Sequence, residues 1–456
     1  MKLPTTGKPH EELLAEMRAQ QGDDADWHSG KIWSLVYFAG DDVAEVLKEA
    51  YTTFFYTNGL SVAAFKSLRK FESEVIAMTA ELLGSSEAVG NMTSGGTESI
   101  LMAIKTARDM ARDQRPGLTE PEMVLPVTAH PAFEKGAHYF GVKPVHIPVR
   151  DDFRADVEAA KAAITDKTVL IVGSALCYPY GTIDPIPELA ALAQERGIGC
   201  HVDACVGGFI LPFLPRLGYN VPAWDFSVPG VTSISADLHK YGYAARGSST
   251  VLYRSKEIRR YQYFTYADWP GGLYGSPTMA GSRPGGAIAA AWAVLNYLGE
   301  DGYLRLARTV MDTARKLIDG INAINGLHVI GEPDASIFSF TADAVDIYAV
   351  GDAMDTRGWQ LDRQQMPPKL HLVVTPAHEK IAGTVLADLE WATGSVATEG
   401  PTPGGRAAMY GMLGSLPDRG AVEKVIMDFM DRATEPKQED PMAGLPGGTD
   451  GGSVKS

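Results

Sequence analysis

"TVLIVGSALCYPYGTIDPIPELAALAQERGIGCHVDAC", Thr168–Cys205, contains a whole structural unit in one run. Its two ends, TVLIVGSA and GIGCHVDA, are short apolar stretches rich in Val and Ile. IPELAALAQERG, between them, has the acidic start and glycine stop of a helix. Strands with no polar alternation must be covered on both faces. A strand–helix–strand order then implies a mainly parallel sheet with helices on either side.

The same two textures alternate outward from that unit. MVLPVTA (123–129), KPVHIPV (143–149), SISAD (233–237) and STVLY (249–253) read as further strands, and TESILMAIKTARDMARD (97–113) and FRADVEAAKAAI (153–164) as helices. Upstream, DDVAEVLKEAYTTFFY (41–56) is an amphipathic helix with an acidic start, and SLRKFESEVIAMTAELLG (67–84) is a second one stopped by Gly84. From Gly285 a long helical pattern leads to a smaller α+β unit whose strands lie in LHVIGEPDASIFSFTA (327–342) and LHLVVTP (370–376). The expected division is an N-terminal segment of helices, 1–57, contributing to a dimer and the active site; a large domain, 58–300; a small C-terminal α+β domain, 301–434; and a tail, 435–456. The tail is rich in Gly, Pro and charge and is expected to be disordered.

Composition narrows the function. Of 456 residues, 45% are hydrophobic and 21% charged, as in ordinary globular chains, and the formal net charge is −15. An acidic surface argues against nucleic-acid and anionic-membrane partners. No apolar run approaches the roughly 18 residues of a membrane-spanning helix, and the N-terminus lacks the apolar core of a signal peptide. Cys177, Cys200 and Cys205 are odd in number and form no paired motif, so they read as buried thiols of a reducing compartment, with no zinc site.

In open α/β sheets chemistry collects at the C-terminal ends of the strands, and four stretches fall there. NMTSGGTESI (91–100) places Gly95, Gly96 and Thr97 before a helix expected to begin near Glu98, a natural anion site. HVDAC ends an apolar strand on Asp203, a carboxylate that needs a cationic partner. His201, two residues earlier, would share a metal with it only if a third ligand existed, and none of suitable spacing is evident. ISADLHKYGYAARGSS (234–249) sets Lys240 among small and aromatic residues after a strand, where a partly dry pocket is expected to lower its pKa and suit it to imine formation. TAHPAFEKGAHYFG (128–141) offers His130, whose ring can stack on an aromatic cofactor. Together they describe a site for pyridoxal 5'-phosphate: a phosphate cup, a carboxylate for the ring nitrogen and a lysine for the aldehyde. Asp203 precedes Lys240 by 37 residues, a fitting interval for two successive strand ends.

With these residues in place, the chain resembles the sphingosine-1-phosphate lyases of the fold-type I, group II decarboxylase superfamily, which share the aspartate aminotransferase-like architecture with a seven-stranded central sheet. The matching stretches are TSGGTESILMA, TAHPAFEKGAHYFG, YGTIDPIPELA, HVDACVGGF, SADLHKYGY, GSSTVLY, GSPTMAGSRPGG and AAMYGM, spread over roughly residues 30 to 430. The resemblance implies that Lys240 carries the Schiff base and that His239 lies at the cofactor phosphate with Gly95, Gly96 and Thr97. It further implies that Asp203 pairs with the pyridine nitrogen, that His201 beside it belongs to the cofactor-binding set, that His130 stacks on the ring, and that Tyr178 in CYPYG reaches the substrate. Ser276 and Ser282 match a segment that crosses to the neighbouring subunit, which implies a homodimer with shared active sites. The implied reaction cleaves the Cα–Cβ bond of a phosphorylated long-chain amino alcohol to a fatty aldehyde and phosphoethanolamine. Eukaryotic members carry a membrane anchor; none is seen here, so a cytoplasmic, bacterial-type enzyme is expected.

Two positions depart from the family. Its Ser-Asn-Pro-Leu-His-Pro loop is TNGLSV here (57–62), keeping Asn58 and Leu60 but placing Ser61 where the histidine stands. A tyrosine and a lysine that help that histidine hold the substrate phosphate correspond to Tyr37 and Arg246. Arg246 offers a bidentate fork for phosphate. It also suits a carboxylate, so the alternative is a group II L-amino-acid decarboxylase, or a lyase for a different anionic amino alcohol.

Overall fold

The computed structural model describes residues 2–22, 24–402 and 405–435; the expected disordered tail, apart from Glu435, lies outside the described residues. Its centre is a seven-stranded sheet of β1 (Val89–Thr93), β2 (Glu122–Pro126), β3 (Lys143–Ile147), β4 (Thr168–Ser174), β5 (Gly199–Asp203), β6 (Ser233–Ala236) and β7 (Ser249–Tyr253). The strand order is β1-β7-β6-β5-β4-β2-β3. β7 alone runs against its neighbours β6 and β1, while β6, β5, β4, β2 and β3 pair in parallel.

The apolar strands are buried on both faces, as their lack of alternation requires. Val124 of β2 and Ile171 of β4 join one core with Ile186 and Leu189 of the crossover helix Ile186–Arg196. Their chain neighbours Met123, Leu125, Leu170 and Val172 point the other way, into a second core with Ile100, Ile104 and Phe133. The expected helices at 41–56 and 67–84 form as Asp41–Phe54 and Lys66–Leu82, and Gly84, at φ 79°, supplies the left-handed stop. β1 was hidden in the sequence because VGNMT has neither an apolar run nor clean alternation; it forms by pairing at the edge of β7. The next helix begins at Gly96, two residues before the expected start near Glu98.

Beyond a hairpin of β8 (Phe264–Tyr266) and β9 (Tyr274–Ser276), a helix spanning Gly285–Ala323 turns sharply at Gly299, φ 54°. It leads to an antiparallel sheet, in order β10-β11-β13-β12, made of β10 (Leu327–Val329), β11 (Ile337–Ala342), β12 (Asp362–Gln364) and β13 (Lys369–Val373). The N-terminal segment is stitched to this small sheet. Trp33 N–H donates to Gln360 O at 3.2 Å and Val373 N–H to Trp33 O at 2.8 Å, while the buried Trp33 ring stacks on His378 at 3.9 Å. That stitching carries Leu35 and Tyr37 to the C-terminal edge of the large sheet. No helix among the described residues is long and apolar enough to cross a membrane.

Candidate active site

β5 and β6 lie side by side and in parallel, so Asp203 and the loop after Ala236 emerge together. At this edge a cavity of about 430 Å³ is lined by Gly95, Gly96, Thr97, His130, Tyr178, Asp203, His239 and Lys240, with Leu35, Cys205 and Asp237 among the other walls.

The helix Gly96–Gln114 points its free N–H groups at this space. Glu98 braces its start: its carboxylate accepts from Ser94 N–H at 2.6 Å and, across the fold, from Met279 N–H at 2.9 Å. Only glycine fits at position 96, where a Cβ would lie 2.8 Å from both Cys205 Sγ and Asp237 Oδ2. His239 closes the cup beside Gly95, with its Nδ1 accepting from Ser248 N–H at 3.3 Å and its Nε2 3.6 Å from Asp237 Oδ2.

Lys240 corrects the sequence expectation. Burial does work against its charge, but the carboxylate of Asp237, 2.9 Å from Nζ, outweighs it and holds the lysine above its ordinary pKa. Asp237 is buried, with Oδ1 lacking any hydrogen-bond partner. Imine formation needs an uncharged amine, so the ion pair with Asp237 has to give up its proton before Lys240 can react. Asp237 is not marked by the sequence motif alone; the signal for it is an acid three residues before the lysine.

His201 is a second correction, because it does not line the cavity. The ring is fully buried behind Asp203, its Nδ1 2.9 Å from Ser233 Oγ and its Nε2 3.2 Å from Ser235 Oγ. Ser235 Oγ in turn lies 3.3 Å from Asp203 Oδ1. A carboxylate accepts only, which fixes the polarity of the chain: Ser235 donates to Asp203, His201 Nε2–H donates to Ser235, and Ser233 donates to His201 Nδ1. Burial depresses the His201 pKa to about 4 and keeps the ring neutral. Among the described residues no group of His, Cys, Asp or Glu is arranged to hold a metal.

His130 accepts from Ala132 N–H through Nδ1 at 3.1 Å, and burial pushes its pKa down, leaving a neutral ring on the cavity wall. Tyr178 enters on a loop pressed against β11, where Gly181, φ 70°, would place a Cβ 1.8 Å from Ile337 O. Its hydroxyl donates to Asp362 Oδ2 at 3.1 Å, and its backbone carbonyl accepts from His371 Nε2 at 2.9 Å. Asp362 and His371, on β12 and β13, were absent from the sequence reading because nothing in DRQ or KLHLV marks them.

At the margin, Tyr37 packs edge-on to Tyr241 at 5.0 Å, and the Arg246 guanidinium lies 5.8 Å over the Tyr37 ring. Burial pushes the Tyr37 pKa up to about 12, against the pull of Lys240 and Arg246. Among the described residues Arg246 has no salt bridge, so it is a free, exposed cation. Asn58 and Ser282 pair with each other, Nδ2 to Oγ at 3.0 Å, outside the cavity. Ser276 donates to Thr278 O and Ala280 O within its own loop, and Ser61 is exposed.

The residues of the cup fit pyridoxal phosphate: a helix start where only glycine is tolerated, a buried carboxylate at a strand end, and an amine reaching the same space. Comparison with known proteins agrees. The pyridoxal-dependent decarboxylase conserved domain matches residues 5–343. The sphingosine-1-phosphate lyase of Arabidopsis thaliana is 47% identical over 430 residues, covering 92% of this chain and 79% of that protein. The solved structure of a Burkholderia pseudomallei sphingosine-1-phosphate lyase superposes with a TM-score of 0.88 at 39% identity, covering 96% of this chain and 98% of that one. A Lactobacillus brevis glutamate decarboxylase shares the fold at a TM-score of 0.76 and 21% identity, covering 87% and 95%.

Proposed function

This chain belongs to the sphingosine-1-phosphate lyase family of pyridoxal-dependent enzymes, and from that premise we propose how its own residues perform the cleavage. It is a pyridoxal-phosphate-dependent carbon–carbon lyase that splits sphingosine-1-phosphate or its dihydro form into a fatty aldehyde and phosphoethanolamine. The decarboxylase alternative is not favoured: the extensive identity is to lyases, and the decarboxylase shares the fold at far lower identity. The observation that carries the reading is the single cavity holding Lys240, Asp203, His130 and the Gly95–Thr97 helix start, with an unpaired arginine at its margin.

In this reading Gly95, Gly96, Thr97 and His239 hold the cofactor phosphate, Asp203 faces the ring nitrogen, His130 stacks on the ring and Lys240 anchors the aldehyde. Bound there, pyridoxal phosphate supplies an electron sink attached to the substrate amine, which makes the Cα–Cβ bond breakable. Arg246 offers two parallel N–H donors to the substrate phosphate. Tyr37, which keeps its proton, donates beside it. Leu35 and Leu176 give the cavity apolar wall.

Asn58, Ser61, Ser276 and Ser282 lie away from Lys240 in their own protomer, and the β8–β9 hairpin exposes Phe264, Tyr266, Trp269 and Leu273. These observations support a homodimer in which the 57–62 loop and the 274–286 segment serve the partner's site. The division at residues 57, 300 and 434 is supported by the turn at Gly299 between the two sheets. Three buried free thiols support a cytoplasmic location.

Incubating the cofactor-loaded enzyme with dihydrosphingosine-1-phosphate is expected to release long-chain aldehyde. Carbon dioxide from an amino-acid panel without aldehyde from the lipid would overturn the assignment. Light scattering is expected to give twice the chain mass.

A further inference from the structure

Building on the lyase reading, we propose that Tyr178, Asp362 and His371 form a proton relay that removes the substrate's hydroxyl proton, with Tyr178 touching the substrate and Asp362 and His371 acting through it. A retro-aldol cut requires that hydroxyl to lose its proton as the bond breaks. His130 cannot take it: the neutral ring accepts at Nδ1 from Ala132 N–H, so Nε2 already bears hydrogen. Lys240 is occupied by Asp237.

Tyr178 lines the cavity and turns its O–H away, toward Asp362 Oδ2 at 3.1 Å, leaving its oxygen lone pairs open to a substrate donor. The phenol alone is a poor base, since burial and then the Asp362 charge raise its pKa. The proton must therefore pass on. Asp362 is ready to receive it: burial opposes its charge, yet the hydroxyls of Ser34, at 2.8 Å, and Tyr178, at 3.1 Å, both donate to the carboxylate and keep it ionised.

His371 supplies the end of the line. Its Nε2 faces the Tyr178 carbonyl, which only accepts, so Nε2 carries the ring hydrogen. Nδ1 is buried, has no hydrogen-bond partner and sits 3.7 Å from Asp362 Oδ2. A carboxylate oxygen and an imidazole lone pair cannot bond each other; a proton arriving between them lets them. The other charged or titratable groups bearing on this cluster are Tyr37, which adds to Asp362 in raising Tyr178, and Lys240, which opposes.

The step balances. The substrate O–H proton moves to Tyr178 Oη as the Tyr178 proton moves to Asp362 Oδ2, where His371 Nδ1 shares it. The Cα–Cβ bond breaks, the oxygen lone pair forms the aldehyde C=O, and the Cα–Cβ electron pair stays with the amine-bearing fragment. Return of the proton along the same line, from Tyr178 Oη to the Cα of the amine-bearing fragment, completes phosphoethanolamine and resets the site.

The test uses cofactor-loaded Asp362→Asn, Tyr178→Phe and the double variant, assayed for aldehyde release across the pH range, with the visible cofactor band reporting an intact site. Each single variant is expected to lower kcat by about 10²- to 10⁴-fold, with KM changed by less than about threefold. The double variant is expected to be no slower than the slower single one, because the residues act as a unit. Wild-type kcat is expected to fall on the acid side as the relay fills with protons, and Asp362→Asn to lack that limb. Should Asp362→Asn lose the band, His371→Gln keeps a donor to the Tyr178 carbonyl and deletes Nδ1; it is expected to lower kcat about tenfold or more with the band unchanged. Losses that multiply in the double variant overturn the relay, as does a variant as fast as wild type. Wild type that releases no aldehyde overturns the lyase reading and the relay with it, whereas wild-type cleavage matched by Asp362→Asn overturns the relay alone.

Discussion

Two sides of one cavity are built in opposite ways. Asp203 and Lys240 stand at the ends of adjacent parallel strands, and their supports, Ser235, Asp237 and His239, come from the same short stretch of chain. Tyr178 depends on strangers: Asp362 is 184 residues away along the chain, and Ser34, which holds the other oxygen of Asp362, is 328 residues from it. The first side is secured by sheet hydrogen bonds that the strands need in any case. The second exists only once the N-terminal segment and the small sheet have closed over the large one. Cofactor binding should therefore survive changes that disable turnover, and the reverse should not hold.

The largest effect belongs to the first side. Lys240→Ala is expected to abolish the visible cofactor band and lower activity by at least about 10³-fold. It should also destabilise the protein by about 3 kcal/mol, because Asp237 is left as a buried charge without its partner. Asp237→Asn in the same chain should recover part of that loss without recovering activity. A Lys240→Ala protein that keeps its band would break the assignment of the first side altogether.

An intermediate effect belongs to the second side. Gly181→Ala must move the Tyr178 loop, since the backbone is left-handed there and a Cβ meets the Ile337 carbonyl. We expect kcat to fall about 10- to 100-fold with the cofactor band unchanged, as for a catalytic group misplaced by a fraction of a bond length or more. Loss of the band along with turnover would show that the two sides are not separable.

The same contrast explains what the sequence made legible. The parallel sheet was readable because doubly buried strands must be apolar throughout, and the cofactor cup because a glycine-rich helix start, a strand-end carboxylate and a strand-end lysine have few other uses together. β1 was not, since edge pairing with β7 rather than its own residues makes it a strand. Nor were Asp362 and His371, ordinary polar residues on short strands whose meaning comes from a contact across the fold. Lys240 was found but its state was misjudged: desolvation was legible from its apolar neighbours, while the opposing charge of Asp237 depended on a 2.9 Å geometry. His201 was placed with the cofactor for its proximity to Asp203, whereas strand and side-chain direction turn it toward Ser233 and Ser235.

That buried chain from Ser233 through His201 and Ser235 to Asp203 gives the smallest effect and the finest test of the first side. Ser235→Ala removes one hydrogen bond to Asp203 and strands His201 Nε2–H, a buried donor whose lost partner costs about 1–3 kcal/mol. Cys205 N–H still donates to Asp203 Oδ1 at 3.0 Å, so the carboxylate keeps its place. On the proposed cofactor arrangement, that carboxylate would face the ring nitrogen with one supporting hydrogen bond fewer. Activity is expected to fall about threefold to tenfold, the usual scale for one supporting hydrogen bond. The pH midpoint of the visible band should move, which it should not do in Gly181→Ala. A band whose midpoint stays fixed in Ser235→Ala would mean that the buried chain stabilises the sheet and leaves the electronics of the cofactor to Asp203 alone.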